Sequence, residues 1–248
     1  MHPYYEKKEK KLQKKYQQMN RWASEVLQQY YGKNIINIIM DEVTQETNSI
    51  IKRLPYIGGN ENAYTPIIEI NGWFIGFYNV TKKYGFIPEA AAYINGKVFK
   101  RYCEQLPKIL WYPLKKLAFS QLMKNYFNNQ AKKSQERLYP EDFVYTFNVD
   151  SVTGGYTFVF SSCAVHKHYE AEGANELKQF CNFADPIYST MFNLGCNADY
   201  SFATGYKKCI LSFDEGRKTK LPDNITAMIE EGKEFLQHHQ LPHSHHKT

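Results

Sequence analysis

The sequence reads as an α+β protein in which an N-terminal helical layer packs on a small antiparallel sheet in ββααββ order. Three observations predict this class. Apolar residues recur at helical spacing from the start of the chain to about position 133. Strict apolar–polar alternation begins only after Pro140. It returns once more near position 210, after two further stretches of helical spacing. The 248 residues include 20 Tyr, 16 Phe and 3 Trp, far more aromatic surface than a disordered chain carries, so a proper core is expected.

Residues 4–18 read as a charged helix, and 22–31 continue it with Trp22, Val26, Leu27 and Tyr30 on one face before Gly32 ends it. Residues 35–51 show a similar face through Ile35, Ile38, Ile39, Val43 and Ile50. Tyr56 to Asn60 is a turn by composition. Thr65-Pro66 looks like a helix start, because proline at the first turn lacks only an N–H that would be unpaired anyway. That helix is expected to reach Lys83, with Gly72 and Gly76 four apart as a place of close approach by another backbone. Residues 88–105 and 107–133 complete the helical half.

Phe143, Tyr145, Phe147 and Val149 then share one face of a strand over 142–150, Thr153 to Gly155 turn, and Tyr156, Phe158 and Phe160 alternate again. A hairpin follows from this. Helices are expected over 162–172 and 175–184, then a second hairpin pairing 199–204 with 208–213, and a last helix over 225–237. The expected organisation is a helical region at 1–138, an α+β region with the cysteines at 139–216, and a C-terminal helix with a His-rich tail at 217–248, forming one compact domain.

Charge is partitioned along the chain. Residues 95–137 carry ten basic and two acidic side chains, and residues 138–216 carry four basic and ten acidic. No nucleic-acid motif accompanies the basic stretches, which read as solvated helix faces rather than a nucleic-acid interface. No window of 18 uninterrupted apolar residues exists, so a membrane span is not expected and no membrane partner is. The lysine-rich start lacks the apolar core of a secretory signal. Five scattered cysteines are not the dense even set of a secreted scaffold, and a cytoplasmic protein with reduced thiols is expected.

The chemistry concentrates around Cys163. With Ser162 as N-cap, Cys163 falls in the first turn of a helix, where free N–H groups and the helix dipole favour a thiolate. His166 lies three residues on, and Cys181 and Asp185 are four apart on the next helix. Cys163 reads as a nucleophile assisted by His166 or Asp185. Zinc on Cys163, His166, Cys181 and Cys209 is the competing reading, on a weak spacing. Cys181 and Cys209 also suit a small buried core residue, and Cys103 and Cys196 read only as that. His238, His239, His243, His245 and His246 read as a disordered tail. No cofactor is expected otherwise.

Three blocks resemble the bacterial L-2-amino-thiazoline-4-carboxylic acid hydrolase family. The first is Tyr56-Ile-Gly-Gly-Asn60-Glu-Asn62, leading into the apolar helix that carries Tyr78 and ends near Gly85. The second is Cys163 with Gly173, Glu176-Leu177, Cys181 and Asp185. The third is Thr204-Gly205-Tyr-Lys-Lys-Cys209-Ile-Leu-Ser-Phe213. Together they span residues 56–214. The last block also resembles, at fold level, the 4-vinyl-reductase-type small-ligand domains. The first resemblance implies hydrolytic opening of a 2-aminothiazoline ring to an N-carbamoyl-cysteine, with Cys163, His166, Asp185 and Cys181 as the site and a cation near the substrate carboxylate. Asn197 to Ser201 departs from the family pattern, which usually places a basic residue before the hairpin turn. The expected function is therefore an intracellular hydrolase of small cyclic amidines or amides, with a small-molecule substrate and a possible homo-oligomer. The alternative is a non-catalytic small-ligand-binding or sensor domain of the same architecture.

Overall fold

The structure, a computed structural model, describes residues 1–241, so His243, His245 and His246 lie outside the described residues. The chain is α+β and divides into two compact units.

The first unit comprises residues 1–54, 67–98 and the chain from Ala227. Its helices are α1 (Pro3–Glu6), α2 (Glu9–Leu27), α3 (Lys33–Ile51), and the larger parts of α4 (Thr65–Lys83), α5 (Pro88–Glu104) and α10 (Asp223–His238). The expected close approach of another backbone is present at Gly76, where a Cβ would stand 2.6 Å from the Thr47 methyl and 3.4 Å from the Thr47 Cα of α3. At Gly72 the close neighbours are side chains instead, the Tyr16 hydroxyl at 2.7 Å first among them. Glu69 is buried on α4, and its carboxylate is paired with Lys15 at 2.9 Å and Lys8 at 3.3 Å. Trp73 donates its indole N–H to Asn20 at 2.7 Å. Two histidines expected in a disordered tail are placed instead. His238 closes α10, and the ring of His239 stacks on Phe235 at 4.5 Å with Nδ1 3.1 Å from the Tyr31 hydroxyl. The apolar surface offered by Phe86 and Phe235 outweighs the polarity of the imidazole.

The second unit comprises residues 55–66 and 99–226. It holds α6 (Trp111–Ala118), α7 (Gln121–Gln135), β1 (Val144–Val149), β2 (Tyr156–Ser162), α8 (Ala164–Ala171), α9 (Ala184–Phe192), β3 (Cys196–Asn197) and β4 (Cys209–Phe213). The strands form one antiparallel sheet in the order β1-β2-β4-β3. Tyr145, Phe147, Phe160, Phe158, Tyr156, Leu211 and Phe213 are paired across it on one face, and all but the half-buried Phe213 are buried. Phe127 of α7 covers that face, with its ring 5.1 Å from Phe158 and 5.8 Å from Phe147. Part of the aromatic wealth of the sequence thus covers one sheet face and its helix, while Tyr5, Tyr16, Trp73, Phe77 and Tyr78 are buried in the first unit.

Two expected elements differ. The 175–184 helix is a 3-10 turn over Asn175–Phe180, and the α-helix begins at Ala184. The expected strand 199–204 is a 3-10 turn over Phe202–Thr204, while Cys196–Asn197 pairs with β4 in its place. Local side-chain hydrogen bonding wins there: Ser201 and Thr204 form a reciprocal capping box, and Gly205 leaves it in the left-handed region. Leu106, Ile109, Leu110, Tyr112, Leu117 and Leu122 are exposed, so the basic stretch that includes α6 is apolar as well as solvated.

Candidate functional site

The site is built where β2 runs into α8. Val144 pairs with Ser162 and Tyr145 with Phe160, so Ser161 is an extra residue, a β-bulge at the end of β2. Without it Cys163 would project from the face opposite Phe160. With it the alternation shifts by one residue, and extended Cys163 (φ −124°, ψ 115°) turns to the aromatic face. Cys209 reaches the same face from β4, directly opposite Phe160.

Cys163 is the N-cap of α8 itself, one position earlier than the sequence indicates, and its side chain closes no capping hydrogen bond. The amides of Val165 and His166 turn toward its sulfur, as a helix N-terminus should. Burial nevertheless outweighs them and pushes the thiol up to about 11. The expectation of a stabilised thiolate is therefore overturned in the resting site. Its cause is desolvation, which the sequence pattern does not carry.

Cys181 follows the Asn175–Phe180 turn and does not share a helix with Asp185. His166 Nε2 lies 3.0 Å from Cys181 Sγ, so this pair is joined by a hydrogen bond whose donor follows the imidazole tautomer. Burial lowers His166 and raises Cys181, which keeps both neutral. Phe202 packs against the imidazole with ring centres 5.4 Å apart.

Asp185 lies in the first turn of α9. Burial raises its carboxyl to about 7, against the weaker opposing pull of its own backbone amide. Among the described residues it forms no ion pair. Its charge bears on Cys163, Cys181, Cys196, Cys209 and Tyr64, each of which it helps to raise after burial has done most. These side chains therefore gather around one carboxyl. Cys163, Cys181, Asp185, Cys209 and Tyr64 all keep part of their surface open to solvent although their ionisable groups are strongly desolvated. The site is thus half-buried rather than sealed in the core.

The structure thus brings together all four expected site residues, Cys163, His166, Cys181 and Asp185, and adds Cys209. It also brings in groups that sequence reasoning missed. Tyr64 comes from the turn segment of the first family-like block, which was the available signal. The amides of Phe202 and Ala203 turn toward Cys209 and Cys181, and no residue-type signal marks them. These amides lower the thiols they act on by less than burial raises them. Zinc ligation is not assembled: among the described residues no group of three or more His, Cys, Asp or Glu side chains stands in a metal-holding arrangement. Cys103 and Cys196 are buried, and no cysteine is disulfide-bonded. Among the described residues no helix is long and apolar enough to cross a membrane.

Compared with protein-family models, with curated proteins and with solved structures, the chain matches none.

Proposed function

We propose that the protein is a hydrolase of small cyclic amidines or amides, of which a 2-aminothiazoline-4-carboxylate ring is the example drawn from the family resemblance. The observation that carries this reading is the half-buried Asp185 carboxyl, raised to about 7 by burial and close enough to Cys163 for its charge to act on that thiol. A carboxyl with that value takes and gives protons at neutral pH, as ring hydrolysis requires. The reading treats residues 139–216 as a ββααββ unit, which is supported by the chain order β1, β2, α8, α9, β3, β4.

In this mechanism Cys163 Sγ adds to C2 of the ring and its proton passes to the Asp185 carboxylate. The C2–S bond of the ring breaks, and the ring sulfur leaves with the proton from Asp185. Water then adds to the isothiourea carbon, Cys163 departs as a thiol, and the product is the N-carbamoyl-cysteine. One water is consumed, and Asp185 and Cys163 return to their starting states. The amides of Val165 and His166 face the sulfur as its charge develops.

The second reading, a non-catalytic small-ligand domain, is favoured by one observation: burial holds Cys163 at about 11, far from a resting thiolate. Thiol release from 2-aminothiazoline-4-carboxylate separates the two. The hydrolase reading expects saturable release that falls by about 10²-fold or more in Asp185→Asn and Cys163→Ala. Saturable binding of that compound without release would establish the second reading instead. Neither release nor binding would remove both.

A further inference from the structure

The 56–62 turn, which the mechanism above leaves unused, forms part of a cavity of about 200 Å³ with the C-terminal end of α7 and the residues around the start of β1. The turn is shaped for this position. Gly58 adopts φ 108°, and a Cβ there would stand 3.0 Å from the Tyr139 ring. Asn62 donates its amide to the Ile57 carbonyl at 2.5 Å and to the Asp142 carboxylate at 2.7 Å, and accepts from the Tyr64 N–H at 2.8 Å.

The polar groups of this cavity are incompletely matched by the protein. Tyr145 is 2% exposed, yet its hydroxyl has no hydrogen-bond partner. The Tyr64 hydroxyl acts on it as a close hydrogen-bonding neighbour, short of the geometry of a full bond. Such a buried hydroxyl carries a desolvation penalty until something binds it. The Asp142 carboxylate, whose charge also bears on Tyr145, accepts from Asn62 and from the Phe143 N–H, and among the described residues no cationic side chain is in ion-pair contact with it. Lys167 donates its ammonium to the Pro140 and Asp142 carbonyls, and its charge acts on the carboxyl from there. Burial outweighs these three influences and raises the Asp142 carboxyl, so a ligand cation would restore its charged form.

At the mouth, Lys133 and Arg137 line the same cavity, are exposed and, among the described residues, form no ion pair. Arg137 holds φ 53° just past the end of α7, a place where glycine is the usual residue. Glu61 and Glu136 lie beside these cations and would repel a phosphate or other polyanion. The volume lies below the roughly 300 Å³ at which pockets for drug-sized ligands begin. The complement of a buried anion with a free hydroxyl, cations at the mouth and a small volume is a compact zwitterion.

We infer that this cavity binds a small α-amino acid, its ammonium against Asp142 and Tyr145 and its carboxylate toward Lys133 and Arg137. The inference stands without the hydrolase reading, because Cys163 and Asp185 do not line this cavity; Tyr64 is common to both places.

Calorimetric titration of the full chain with L-alanine tests it, with propionate, ethylamine and inorganic phosphate as probes of the separate charges. L-Alanine is expected to bind at least about tenfold more tightly than propionate or ethylamine, the worth of one further charged hydrogen bond. Arg137→Gln and Asp142→Asn should each weaken it by about tenfold, and Tyr145→Phe by less, while Cys163→Ala leaves it unchanged. Arg137 is on the surface, so its variant keeps the test informative should Asp142→Asn fail to fold. Absence of L-alanine binding, equal or tighter binding of propionate or phosphate, or insensitivity to Arg137→Gln would overturn the inference. Loss of binding in Cys163→Ala would also overturn it, by placing the amino acid among the thiols.

Discussion

At the scale of single residues, Asp185 is where environment most changes chemistry. A carboxyl in the first turn of a helix ordinarily sits low, because the dipole favours its charge. Here burial wins and holds it near 7. The native state therefore keeps a proton that the unfolded chain releases near 3.8. Between those two values stability falls as pH rises, and above about 7 the loss is complete, at most about 4 kcal/mol and less where solvent screens the group. Asp185→Asn has no charge to desolvate. Its melting temperature should match that of the native sequence below pH 4 and exceed it increasingly up to pH 8, which paired thermal melts across that range would check. Equal melting temperatures at pH 8 would mean that the carboxyl is not desolvated. Cys163 teaches the same lesson in the other direction: its position at a helix start is legible in the sequence, but its titration is not. Two amides turned to the sulfur are outweighed by the protein packed around it.

At the scale of elements, the sheet shows why pattern alone placed some strands and missed others. β1 and β2 alternate large aromatics, and Tyr145, Phe147 and Val149 each find an aromatic partner across the ladder, so their pattern and their structure agree. The bulge at Ser161 has no such signature, although it decides which way Cys163 points. β1 is an edge strand, and the end of α7 protects it: the Tyr145 N–H donates to Ser134 Oγ at 3.1 Å, and Gln135 donates to the Tyr145 carbonyl at 2.6 Å. Ser134→Ala would leave the Tyr145 N–H buried without an acceptor. The expected loss is about 1–3 kcal/mol of unfolding free energy, read from the midpoint of urea unfolding. A midpoint unchanged within error would show that water reaches the edge. The 199–204 segment fails as a strand because Ser201 and Thr204 satisfy local backbone groups that a ladder would otherwise need.

At the scale of the whole molecule, all five cysteines are unpaired and burial raises every thiol, Cys103 to about 12 and Cys163 to about 11, with Cys181, Cys196 and Cys209 also displaced upward. A native sample at pH 8 should consequently react slowly with a disulfide-exchange reagent, Cys163 leading, and should release five equivalents promptly once unfolded. Prompt labelling of Cys163 in the native protein near pH 7 would contradict the desolvated site. Reducing agent should not shift the melting temperature, since no disulfide supports the fold.

The sequence by itself determined the α+β class, the first hairpin with its aromatic face, most of the helical segments, and the close approach at Gly76. These follow from periodicity and from side-chain size, which act between near neighbours. It also singled out Cys163, His166, Cys181 and Asp185. Only the tertiary structure decided that the Asp185 charge acts on four cysteines and Tyr64, that His166 bonds Cys181, and that Asp142 and Tyr145 line a cavity. Those relations join residues far apart in the chain, and their energetics rest on desolvation, a property of everything packed around a group and of no residue in it alone.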